Sequence, residues 1–175
     1  MTVRHLSKSR FLVVIDMQPA GFPLALAVTN QVLREIKTAM ENGWTIMIVE
    51  YDLECAGPTD SRITALLADS GYRYWFPVKK KAEDGSAEII QAAGLPPSSE
   101  MEEPAVFRVV GVTTDDCIAK SVFGLVKRLS NCVVELVTDA CYNWQGHRFD
   151  WSLFAAHSNI ELLFPPETQT EIDHV

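Results

Sequence analysis

The chain has 175 residues, 47% of them hydrophobic and 22% charged, with a net charge of −8 at neutral pH. That length suits one domain, here spanning 1–175, and the composition excludes a disordered chain. The acidic balance, unrelieved by any Lys/Arg stripe, excludes a nucleic-acid binder that works by neutralising phosphates. Apolar runs such as FLVVI at 11–15 are far shorter than the ~20 residues of a membrane-spanning helix. The polar, basic residues 1–9 lack the apolar core of a signal peptide. These features predict a cytoplasmic protein with a small-molecule substrate and neither nucleic acid nor membrane as partner. Cys55, Cys117, Cys132 and Cys141 show no CxxC or Cys/His metal spacing, and are expected to be free thiols.

Strand-like and helix-like runs alternate along the chain, which predicts an α/β fold of three layers, a doubly wound, six-stranded, mostly parallel sheet with helices on both faces. FLVVID at 11–16 is a strand buried on both sides. Residues 30–42 place Val32, Ile36, Ala39 and Met40 on one helical face, with Gly43 as the stop. WTIMIVEY at 44–51 is the second strand, and a turn-rich stretch leads to a helix over 61–69. WFPVKK at 75–80 is the third strand, placed at a sheet edge because Pro77 cannot donate to a ladder. A helix over 84–94, capped by Asp84 or Ser86, precedes a Pro/Ser/Glu-rich linker at 95–104 and a fourth strand at 105–111. Ile118, Val122, Leu125, Val126 and Leu129 then form the buried stripe of a helix. A fifth strand begins at Cys132, with Cys132 and Cys141 flanking it; FDWSLFAAHS at 149–158 is the last helix and IELLF at 160–164 the sixth strand. The termini, 1–9 and 166–175, are expected to be loose.

In a doubly wound sheet, ligands bind beyond the carboxyl ends of the strands, where strand order reverses. Three chemically distinct groups fall there: Asp16 after the first strand, Lys79 to Lys81 after the third, and Cys117 beyond the fourth. Cys117 lies in the first turn of its helix, where unpaired N–H groups and the dipole favour a thiolate. The adjacent Asp115 and Asp116 either point away as helix-capping groups or partly undo that effect. Packing as a small buried thiol is the alternative for Cys117, and a turn or cap role the alternative for Asp16. If the first and fourth strands are neighbours, Asp16 reaches the thiol as a general base. Phe22, Tyr51, Trp75 and Trp144 lie on or near loops expected at that edge and are candidate substrate-binding residues, with plain core packing as the alternative.

VVIDMQ at 13–18, a Lys after the third strand and GVTTDDC at 111–117 together resemble the isochorismatase-like cysteine hydrolases, over roughly residues 10–165. The resemblance implies a catalytic triad of Asp16, one Lys and Cys117. KKAEDGSAEI is similar to a K-x-x-x-D-G-S pattern seen in part of that family, which selects Lys80, with Lys79 as second choice; strand alternation prevents both from facing one pocket. It also implies a cis peptide bond between Val112 and Thr113, and an oxyanion hole made by the N–H groups of Thr113 and Cys117. EYDLECAGPTD offers Asp52 but none of the histidines with which nicotinamidases hold a metal. The expectation is no metal and no cofactor, in a metal-free branch with Glu50-Tyr51 and Gly57-Pro58-Thr59 near the site. The implied activity is hydrolysis of a small non-peptide amide through a thioester on Cys117. Alternatives are an isochorismatase-type vinyl-ether hydrolase and a ligand-binding scaffold. A homo-oligomer is expected.

Overall fold

The computed structural model describes residues 9–95, 103–143 and 149–165. Its strands are β1 (Arg10–Ile15), β2 (Thr45–Tyr51), β3 (Trp75–Lys80), β4 (Ala105–Val112), β5 (Cys132–Tyr142) and β6 (Ile160–Leu163). They form one parallel sheet in the order β3-β2-β1-β4-β5-β6. The sheet is therefore parallel throughout, and β3 with its Pro77 is at the edge. The helices are α1 (Ala25–Glu41), α2 (Ser61–Asp69), α3 (Ser86–Ala93), α4 (Ala119–Arg128) and α5 (Ser152–Ala155).

Strand alternation divides the core in two. Phe11, Val13 and Ile15 of β1 face one layer with Ile89 of α3, Val122 and Leu125 of α4 and Phe154 of α5. Leu12 and Val14 face the other with Val28, Val32 and Ile36 of α1 and Ile63 and Leu67 of α2. A strand buried on both faces must be apolar at every position, which is why β1 and β2 show no alternation in sequence.

Several boundaries differ from the sequence reading. Helix α1 starts at Ala25 instead of 30, because Ala25 and Val28 extend the same buried stripe by more than a turn. The last helix is only Ser152–Ala155; the Phe149 and Trp151 rings pack edge to face at 4.9 Å instead of continuing it. Cys132 and Cys141 lie within β5, not beside it, and are buried. Between the pairings Val109↔Leu136 and Gly111↔Cys141, β5 carries extra residues, a bulge that lets the strand run on to Tyr142. The expected tail at 166–175, and all but the ends of the 95–104 linker, lie outside the described residues.

The chain lays down β1, β2 and β3 to one side, then crosses back to set β4 on the other side of β1. Asp16 and Cys117 thus flank the switch point, with Ile15 paired to Gly111. Gly111 has φ 138, and a Cβ there would run into the Ile15 carbonyl. Only glycine fits this crossing.

Candidate active site

Asp16 follows β1 with φ 53, a left-handed conformation that turns its carboxylate out of the strand path. Its own N–H donates to the Val49 carbonyl at 2.9 Å, and its carbonyl accepts from Gln18 N–H at 2.7 Å. Gln18 in turn closes the edge: its side chain accepts from Tyr51 N–H at 2.7 Å and donates to the Gly57 carbonyl at 2.6 Å. The last residue of the DMQ run therefore ties β2 to the 52–60 loop. Glu50 supports that loop from below, accepting from Thr59 N–H and Oγ1 at 3.0 and 2.5 Å.

The lysines divide as strand alternation requires. Lys79 is 56% exposed and pairs with Glu50 at 2.7 Å. Lys80 is fully buried, with Nζ 2.9 Å from Asp16 Oδ2. Its ammonium also lies 4.5 Å from the Tyr51 ring centroid and donates to the carbonyls of Ala82 and Glu83 at 3.3 and 3.4 Å. Neither Asp16 oxygen receives a well-aligned hydrogen bond, although Lys80, the Cys117 thiol and the Tyr51 N–H all lie beside the carboxylate.

Cys117 is buried in a π-helical turn, Thr114–Ile118, that leads into α4. Thr113 starts it, its carbonyl accepting from both Asp116 and Ile118 N–H. The Val112–Thr113 bond is trans, not cis as the family resemblance implies, and cis bonds are absent among the described residues. The turn is made instead by φ 59 at Thr113, a conformation that costs a β-branched residue about 1–3 kcal/mol. Two strained non-glycine residues thus sit at the two strand ends of the switch point.

Burial raises the Asp16 carboxyl above its ordinary range, against the pull of Lys80, Cys117 and Tyr51. Burial, and then the Asp16 charge, push the Cys117 thiol up to about 11, with the Thr113 hydroxyl and Lys80 pulling the other way. Burial and the Asp16 charge therefore work against the thiolate expected from a position in the first turn.

Among the proposed wall residues, Phe22 and Tyr51 stand together, ring centroids 6.4 Å apart, with Tyr51 over the Lys80 ammonium. Trp75 does not join them. It begins β3, paired with Ile46 at the amino end of the sheet, and packs under α1 and α2 with the second core. The end of the strand opposite Lys80 cannot line the same pocket. Trp144 lies outside the described residues. Among the described residues no cluster of three or more His, Cys, Asp or Glu is placed to hold a metal, and no helix is long and apolar enough to cross a membrane.

No protein-family model and no curated protein sequence matches the chain. Solved structures do. The nicotinamidase of Staphylococcus aureus superposes with a TM-score of 0.68 at 12% identity, covering 95% of this chain and 99% of its own. An isochorismatase from Pseudomonas putida KT2440 gives 0.64 at 14% identity over 93% and 91%. N-carbamoylsarcosine amidase from Thermoplasma acidophilum gives 0.59 at 17% over 92% and 99%. This chain has the isochorismatase-like fold. Within that fold the sequence reading placed Asp16, Lys80 and Cys117 at three strand ends, and they do meet. It assigned nothing to Gln18, although Gln18 belongs to the quoted DMQ run, and nothing to the carbonyls of Ala82 and Glu83. Backbone groups carry no residue-type signal, so only the folded loop reveals them.

Proposed function

We propose that the chain is a cysteine hydrolase that cleaves a small non-peptide amide. The observation that carries this reading is the meeting of one acid, one cation and one thiol from the ends of β1, β3 and β4, with Lys80 2.9 Å from Asp16 and all three side chains buried. A buried charged pair is costly to keep unless it is used or fully paired. Asp16 takes the Cys117 proton as sulfur attacks the substrate carbonyl, and Lys80 balances the negative charge that remains. Burial raises the Asp16 carboxyl, which makes it a stronger proton acceptor than an exposed aspartate. The oxyanion is received by the backbone N–H of Cys117; the family resemblance adds the Thr113 N–H on the strength of a cis Val112–Thr113 bond, and that bond is trans. Asp16 returns its proton to the leaving nitrogen as the C–N bond breaks. A thioester remains on Cys117, and water deprotonated by Asp16 hydrolyses it. Phe22 and Tyr51 form one wall of the substrate site. The enzyme works as a cytoplasmic homo-oligomer without metal or cofactor.

The test is ammonia or amine release across a panel of small amides, with intact-mass detection of an acyl adduct on the protein. Turnover lost in Cys117→Ala, with an adduct in wild type, is the expected result. Amide turnover that survives Cys117→Ala would remove the thioester. Tight ligand binding with neither turnover nor adduct would favour a ligand-binding scaffold instead.

A further inference from the structure

The cage that holds Lys80 is itself held from the helix that carries Cys117. Lys80 Nζ donates to the Ala82 and Glu83 carbonyls, in the turn between β3 and α3. A side chain from α4 bonds directly to the backbone of that turn. The Ser121 hydroxyl, fully buried on α4, accepts from Gly85 N–H at 3.0 Å and donates to the Glu83 carbonyl at 3.3 Å. Ser121 stands four residues after Cys117, one turn further along and on the same side of the helical path. The turn also presses on the lysine stem directly. Gly85 lies so close that a Cβ there would meet Lys80 Cδ at 2.9 Å.

We propose that Ser121 is a positioning residue, a bolt between α4 and the 82–85 turn that fixes the distance from the Lys80 ammonium to Cys117. The inference rests on the reading of Asp16, Lys80 and Cys117 as one reacting set. Its physical basis is the division of labour at one hydroxyl. Ser121 satisfies the buried Gly85 N–H and shares the Glu83 carbonyl with the Lys80 ammonium, both donating to it. Without the hydroxyl, the Glu83 carbonyl is free to turn, the ammonium loses its fixed place, and the thiolate loses part of its nearby positive charge. Arg128 and Asp84 brace the far end of the same turn: Ser86 Oγ accepts from Arg128 at 2.9 Å, and Asp84 Oδ1 accepts from Ser86 N–H at 2.8 Å.

The test needs no substrate. The rate of Cys117 alkylation by iodoacetamide is followed by peptide mass spectrometry as a function of pH in wild type, Ser121→Ala, Thr138→Ala and Asp16→Asn. Thr138 donates to the Leu163 carbonyl between β5 and β6, away from the site, and controls for loss of a buried hydroxyl. Ser121→Ala should move the midpoint upward by about half a pH unit, a roughly threefold slower rate at a fixed pH below it, whereas Thr138→Ala leaves it in place. A lowered melting temperature with an unmoved profile would make Ser121 merely structural and overturn the proposal. Asp16→Asn should move the profile downward. If it does and Ser121→Ala does not, the Ser121 inference alone fails; if neither variant moves it, the reacting set fails as well. Should Ser121→Ala not fold, Gly85→Ala strains the same joint from the lysine side. Its profile must then also shift upward, and an unchanged one overturns the proposal.

Discussion

Lys80 is fully buried 2.9 Å from Asp16, while Lys79, one residue earlier, is 56% exposed beside Glu50. Both are paired, yet the pairs differ in what their loss would leave behind. Lys80→Met strands a buried carboxylate and should cost about 3–5 kcal/mol at neutral pH, whereas the solvent-screened Lys79→Met should cost under about 1 kcal/mol. Urea denaturation of the two variants compares them directly; equal losses would contradict the burial argument. The sign of the Asp16 shift matters here. Its folded value is raised, so Asp16 contributes stability below its unfolded value, and this is lost as pH rises through the folded value. The Lys80 pair offsets part of that loss. At this scale the sequence was informative: strand parity said that only one of Lys79 and Lys80 could face the site, and the K-x-x-x-D-G-S resemblance selected Lys80. It could not show the thiol pushed up to about 11, because desolvation depends on every neighbour that excludes water.

At the scale of elements, α2 is held by one acid. Asp60 caps its first turn, accepting from Arg62 N–H at 2.9 Å, and also accepts from Thr29 Oγ1 of α1 at 3.1 Å. The Arg62 side chain, joined by its backbone N–H and Thr29, outweighs burial and holds the Asp60 carboxyl below its ordinary range. A lowered folded value gives stability that is present above the unfolded carboxylate value and disappears as pH falls through the folded one. Asp60→Ala should therefore cost about 1–2 kcal/mol at pH 7. The gap to wild type should narrow as the pH is lowered below about 3.9. Denaturant midpoints at neutral and acid pH measure this; a gap independent of pH would show that the carboxylate charge contributes nothing. The boundaries of α2 and β3 were legible because each begins and ends with local signals. Those of α1, α5 and β5 were not: a buried stripe, an aromatic cluster and a bulge set them, and all three are defined by packing partners distant in sequence.

For the whole molecule, the crossing of β1 and β4 is the structural centre. Gly111 combines a φ of 138 with contact against the Ile15 backbone, so Gly111→Ala forces apart the two strands whose ends carry Asp16 and Cys117. It should cost about 4 kcal/mol or more, in the class of exceptional single-site losses. Gly71→Ala serves as the contrast, since its added methyl meets nothing within 4 Å and only the positive φ of 66 opposes it. Thermal melts of the two variants should differ by many degrees, and a Gly111→Ala melting temperature like that of Gly71→Ala would refute the close approach.

The sequence by itself determined the layers, the parallel sheet with β3 at its edge, and three chemical groups at strand ends. These follow from apolar periodicity, from Pro77 and from residue type, all of which are local. The tertiary structure alone decided that β1 and β4 are neighbours, that Trp75 sits at the wrong end of β3 to line the site, and that Val112–Thr113 is trans with Thr113 left-handed. It also decided that burial and the Asp16 charge push the Cys117 thiol up, and that a serine on α4 bonds to the turn whose carbonyls receive Lys80. Burial, register and backbone hydrogen bonding are properties of pairs of segments, and no segment read alone contains them.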